Sequence, residues 1–142
     1  MEKRTKLLRN IIIYISLSCG VATYSFAGSS ESYPKVTKEW FLLEETKTHI
    51  EFSGRVIKCD ENENHQLHLK IFNENAEEKN VNFKVTILDK TTGKSIEKTI
   101  TLTLGVAAMI NAACDSSENS NLKIEIPSDY NAENLDIKLQ LN

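Results

Sequence analysis

Glycine and proline are scarce in this chain, five and two in 142 residues, and no two glycines cluster. That scarcity excludes a glycine-rich phosphate cradle, and no Gly-x-Ser-x-Gly elbow occurs to present a serine nucleophile. Cysteine is scarce as well. There are three, none paired as Cys-x-x-Cys, so a structural zinc site of the usual spacing is absent. Tryptophan occurs once, as Trp40. An excess of positive charge is also missing, the net charge being −3. Finally, no run reaches the roughly 20 apolar residues that a membrane span requires.

What is present begins with a leader. Lys3, Arg4, Lys6 and Arg9 precede an apolar stretch from Ile11 to Leu17 that continues weakly to Val21 and Ala22. Ser25-Phe26-Ala27 supplies a small-x-small cleavage signal, so residues 1–27 are expected to be a signal peptide cut after Ala27. The alternative is a lipid anchor on Cys19. Ile15-Ser16-Leu17-Ser18-Cys19 resembles a lipobox, but Ser16 stands where leucine is usual. Residues 28–35, GSSESYPK, read as a flexible tether, which leaves 36–142 as one domain.

Export changes how the remaining residues are read. Residues 1–27 hold four of the 17 basic and one of the 20 acidic residues, so the mature part carries 13 against 19, a net −6. An acidic domain is a poor match for nucleic acid or an anionic membrane surface. Cys59 and Cys114 remain as an even pair in an oxidising compartment and are expected to form a disulfide. Closing a loop of about 55 residues stabilises a chain by at most about 4 kcal/mol.

Beyond the tether, apolar and polar residues alternate with a period of two. Gln66–Ile71, Val81–Ile87, Ile100–Leu104, Leu122–Ile126 and Leu135–Leu141 all show it. Such alternation buries one face and wets the other, the mark of antiparallel sheets. Glu39–Glu45 and Ile50–Phe52 add strands. Adjacent Val56 and Ile57 break the alternation, which predicts a bulge near Ser53-Gly54. Polar stretches separate the runs: a hairpin-type loop at Asn73–Asn80, a tight turn at Asp89–Lys94 with Gly93 placed for positive φ, and loops at 115–121 and 127–134. Gly105–Cys114 fits either a helix or a strand. Read as a strand, Ala108, Ile110, Ala112 and Cys114 share a face. Seven or eight short strands so spaced predict an all-β, antiparallel sandwich.

The stretch Leu67–Ile87, with Asn73 opening a polar loop before a Val-Asn-Phe-Lys-Val strand, resembles the middle of small bacterial immunoglobulin-like modules of the fibronectin and adhesion type. The threonine-rich strand followed by Gly105 fits their pattern too. The resemblance covers about half of the mature chain and implies an immunoglobulin-like sandwich. Trp40 in the first strand, and cysteines not set to face each other across the core, depart from it.

Candidate chemistry is thin. His65 and His68 lie three apart, on opposite faces of a strand, and His68 shares a face with Gln66 and Lys70, a pattern that reads as solvated. His49 has no ligand partner nearby in sequence. Asp60-Glu61-Asn62-Glu63-Asn64 opens like a calcium loop, but His65 replaces the required glycine and Ile71 the closing glutamate. Asp115 and Glu118 are the nearest further acids if the disulfide joins the two loops. No catalytic, metal or cofactor residue is assigned. The expectation is an exported, non-enzymatic module that binds a protein or glycan through an edge strand or loops, in a periplasmic, secreted or surface setting. The alternatives are an exported inhibitor presenting Asn73–Asn80, a small secreted hydrolase, or a protein anchored through Cys19.

Overall fold

A computed structural model describes residues 32–142. The expected signal peptide, Cys19 and the first part of the tether lie outside the described residues. Eight strands form the fold: β1 (Lys35–Glu45), β2 (Ile50–Lys58), β3 (Gln66–Asn73), β4 (Lys79–Asp89), β5 (Ser95–Leu104), β6 (Met109–Asn111), β7 (Lys123–Glu125) and β8 (Leu135–Leu141). They make two antiparallel sheets. The first has the order β1-β2-β3-β6, with β7 also paired to β3, and the second has the order β5-β4-β8. The chain crosses between sheets after β3, after β5 and after β7. Among the described residues no helix is long and apolar enough to cross a membrane.

The alternating side chains meet between the sheets. Phe52, Val56, Leu67, Leu69 and Ile71 of the first sheet pack on Val81, Phe83, Val85 and Ile87 of the second. Phe52 and Phe83 join the layers directly, ring edge to face at 5.0 Å. Such a pair contributes about 1 kcal/mol beyond the area it buries. Gly54 lies where even a methyl group would crowd its neighbours. A Cβ there would meet Leu43 and Leu67 at 3.1 Å and Phe41 at 3.3 Å.

Several expectations need correction. β1 begins at Lys35, the last residue of the expected tether. The irregularity expected at Ser53-Gly54 belongs to the neighbouring strand. β2 pairs with β3 without a break, whereas the register of β1 against β2 shifts between Val36 and Lys38, between Lys38 and Phe41, and between Leu42 and Glu44. Val56 and Ile57 are adjacent because both faces of β2 are covered there: Val56 belongs to the core and Ile57 is buried on the other side. Shifts along a charged edge strand hinder its pairing with another chain.

The loop after Asn73 is a crossover between sheets and not a hairpin. Asn73 is buried and organises it. Its amide nitrogen donates to the carbonyls of Glu77 and Gly105, and its oxygen accepts from the backbone and side chain of Asn75. The turn at Asp89–Lys94 forms as expected. Gly93 has φ 73°, and Asp89 accepts from the Thr91 amide and the Thr92 hydroxyl. Hydrogen bonding by Thr92 holds the Asp89 carboxyl below the usual carboxylate range.

In the segment 105–114 the strand reading is right but the strand is only three residues long. Ala112 still donates its amide to Leu69 and is buried in the core. The chain then leaves the strand geometry, so Cys114 does not share the inward face expected of it.

Candidate functional site

The outer face of the first sheet collects the unusual side chains. Cross-strand partners share a face, so the pairs Arg55–His68 and His68–Lys123 set three polar residues side by side. Gln66, Lys70 and Phe72 continue the row along β3 by the two-residue period. Cys59 lies just beyond β2 and is joined to Cys114, with Cα atoms 5.4 Å apart. The expected disulfide is therefore present, on the outside of one sheet and not across the core.

His68 is the correction that matters most. Its position in the alternation suggested a wet face, yet the side chain is fully buried. The disulfide covers it from one side: Cys59 Sγ lies 3.8 Å from His68 Nε2. The same nitrogen is 2.9 Å from Gln66 Oε1. Burial, reinforced by the positive charges of Arg55 and Lys123, pushes the imidazole pKa down to about 4, so the ring is neutral at physiological pH. Among the described residues, the buried side-chain polar atoms without a hydrogen-bond partner are His68 Nδ1 and Arg55 Nε. Their residues face one another across β2 and β3.

Trp40 stands next to this pair. The Arg55 guanidinium lies 4.8 Å and the Lys70 ammonium 5.3 Å from its ring centre. Cations held this close to an aromatic face are attracted by about 0.5–1 kcal/mol at an exposed site. Among the described residues neither Arg55 nor Lys70 forms a salt bridge. Leu42, opposite Ser53, and Met109, opposite Phe72, border the group and are 59% and 61% exposed. The result is a surface on which Arg55, Lys70 and Lys123 stand with apolar Leu42 and Met109, while Glu51, opposite Phe72, and Glu125, opposite Gln66, place carboxylates on the same face.

The remaining candidates do not converge. His65 flanks β3, where burial, Lys58 and Lys35 lower its pKa. His49 occupies a turn with φ 55°. Asp60 accepts from the amide of Asn62, an ordinary turn contact, and Asn64 donates to Glu125 at 2.6 Å. A cleft at one end of the sandwich involves Thr46, Ile50, Phe52 and Leu141, and Lys47 is its one charged lining residue.

The Arg55–His68–Cys59 grouping was partly readable in advance. Arg55, Ile57 and Cys59 share one parity, so Cys59 had to leave β2 on the side away from Val56. What no spacing showed was the return of Cys114 to that side. In comparisons with known proteins, no family model matches the chain, and no curated protein or solved structure is similar to it at a significant level.

Proposed function

We propose that this protein is an exported, non-enzymatic module of the immunoglobulin-like kind that binds a carboxylate-bearing protein or glycan. Its contact surface is the outer face of the first sheet, in place of the edge strand or loops expected from sequence. One observation carries the reading. Arg55 and Lys70 are held beside Trp40 without acidic partners among the described residues, and exposed Leu42 and Met109 border them. Unpaired cations beside a half-buried tryptophan resemble the centre of a recognition patch, where tryptophan and arginine contribute most. Oxidation of Cys59 and Cys114 and the absence of a membrane-crossing helix among the described residues are compatible with export.

The test is a binding screen of the purified protein on arrays of neutral and acidic glycans and peptides, repeated with Trp40→Ala and with Arg55→Met/Lys70→Met. Acidic hits that weaken about tenfold or more in both variants, with circular dichroism unchanged, support the proposal. Retention of binding in both would place the contact elsewhere. The intact mass of the protein from its host tests export: it should start at Gly28, whereas a lipid-modified start at Cys19 would make it an anchored surface protein.

A further inference from the structure

Cys59, Cys114 and His68 form a three-residue cluster in which one potential metal-binding atom from each lies within 4.8 Å of the others. We propose that the dithiol form of this protein binds one copper(I) ion through the two thiolates and the His68 imidazole.

One edge of the site is already at the required separation, while the two sulfurs, bonded to each other in the bridge, must move apart to about 4 Å once it is reduced. In a trigonal site with metal–nitrogen and metal–sulfur bonds of about 2.0 and 2.3 Å, nitrogen and sulfur stand about 3.7 Å apart. His68 Nε2 and Cys59 Sγ are 3.8 Å apart. The imidazole cannot turn away, because the ring is fully buried on the central strand of its sheet. Gln66 Oε1, at 2.9 Å from Nε2, is the contact the metal would displace. Gln66 is partly exposed and can move outward, where it already reaches Glu63 at 3.4 Å.

Charge and donor number select the ion. Thiolates favour soft metals, and three donors suit copper(I), whereas zinc takes four. Two thiolates, one imidazole and copper(I) leave a centre with net charge −1. Arg55 and Lys123, the cross-strand partners of His68, flank it on either side with positive charge. A dipositive ion would neutralise the thiolates and gain nothing from those cations.

The chemistry balances in two steps. An external dithiol reduces the bridge: the Cys59–Cys114 bond breaks, two electrons and two protons pass from the reductant to the two sulfurs, and the reductant leaves as its own disulfide. Copper(I) then replaces the two thiol protons, which go to solvent, and accepts a lone pair from the imidazole. No electron moves in the second step. An external disulfide that accepts two electrons from the two thiolates, and leaves as its two thiolates, would re-form the Cys59–Cys114 bond and release copper(I), so the bridge acts as the lock on the site.

The experiment uses the purified protein as its host produces it, reduced with a phosphine and kept free of oxygen. Copper(I), supplied as its acetonitrile complex, is titrated in competition with a chromogenic copper(I) chelator. One equivalent should bind to the reduced protein and none to the oxidised protein. His68→Asn should weaken binding about tenfold or more, and Cys59→Ser or Cys114→Ser more severely. X-ray absorption on the wild-type complex covers the case of a variant that fails to fold. It should show two sulfurs near about 2.3 Å and one nitrogen near about 2.0 Å. Equal binding by reduced and oxidised protein, a sulfur-only shell, or tighter binding of zinc than of copper(I) at matched free metal would each overturn the proposal.

Discussion

Arg55 and His68 stand opposite one another on β2 and β3, and each has a buried nitrogen that no described group satisfies. A buried polar atom without a partner costs roughly 1–3 kcal/mol. Two side by side, under a disulfide and beside the single tryptophan, mark where this fold gives up stability that an apolar pair would have kept.

The first prediction concerns pH. The His68 pKa is about 4 in the folded protein against an ordinary 6.5, chiefly because the ring is buried. Between those values the unfolded chain binds a proton that the folded chain does not. The stability that His68 gives by staying neutral is therefore complete above about pH 6.5 and declines as pH falls toward 4, by up to about 3 kcal/mol. Urea midpoints between pH 7 and 5, above the range of most carboxylates, should fall for the wild type and fall less for His68→Asn. Parallel curves for the two proteins would show that another group sets the slope.

The second prediction concerns the bridge. Joining Cys59 to Cys114 restricts the unfolded chain, so reduction should lower stability by about 2–4 kcal/mol. Equilibrium urea unfolding with and without a phosphine reductant measures the difference. The double variant Cys59→Ala/Cys114→Ala should match the reduced protein and not the oxidised one. A double variant as stable as the oxidised protein would mean that the bridge does not contribute through the chain.

The strands themselves were legible because alternation is a local property. Val81, Phe83, Val85 and Ile87 had to share a face whichever strands they met, and they line the core. The position of the disulfide was half legible: the pairing followed from the even count, but its side of the sheet depended on where the chain leaves β6. His68 misled for a related reason. Its polar neighbours Gln66 and Lys70 suggest water, while the atoms that lie close over it come from Cys59, just beyond β2, and from Cys114, 46 residues further along the chain. Trp40, Arg55 and Lys70 come from three strands, and a single sequence carries no sign of their contact.

Asn73 provides the third prediction. It ends β3 buried, and its side chain links the turn after it to Gly105 in the next crossover. Asn75, held by Asn73, donates in turn to the Thr48 carbonyl at 2.7 Å. Replacement by leucine keeps the bulk and strands several backbone carbonyls and amides without partners. Asn73→Leu should cost about 2–4 kcal/mol, read as a fall in the urea midpoint. Asn73→Asp should restore only the acceptor half of the contacts and recover only part of the loss.

The fourth prediction has the opposite sign. Ala107 has φ 48°, a left-handed backbone that costs an alanine about 1 kcal/mol, and its amide donates to Asn75 at 3.0 Å. The residue is exposed, so its methyl group contributes little packing. Ala107→Gly removes the strain and also loosens the unfolded chain, which offsets part of the gain. The net effect should be a stabilisation of a few tenths of a kcal/mol, whereas Ala107→Val should destabilise by about 1 kcal/mol or more. Loss of stability in the glycine variant would mean that the strain is relieved in solution.

The last prediction tests the closeness of the strands at Gly54. A methyl group there would lie 3.1 Å from the side-chain tips of Leu43 and Leu67 and 3.3 Å from the Phe41 ring. One flexible tip can yield at little cost. Here the three neighbours come from β1 and β3, on both sides of β2, so a shift away from one neighbour does not relieve the others. Gly54→Ala should therefore destabilise by about 1–3 kcal/mol, even though alanine is otherwise favoured over glycine within a strand. Combining it with Leu43→Ala supplies the missing space on one side. The double variant should lose less than the sum of the two single losses, a coupling that equilibrium unfolding of the four proteins measures directly. Additive losses would show that Gly54 is required for its backbone and not for the room it leaves.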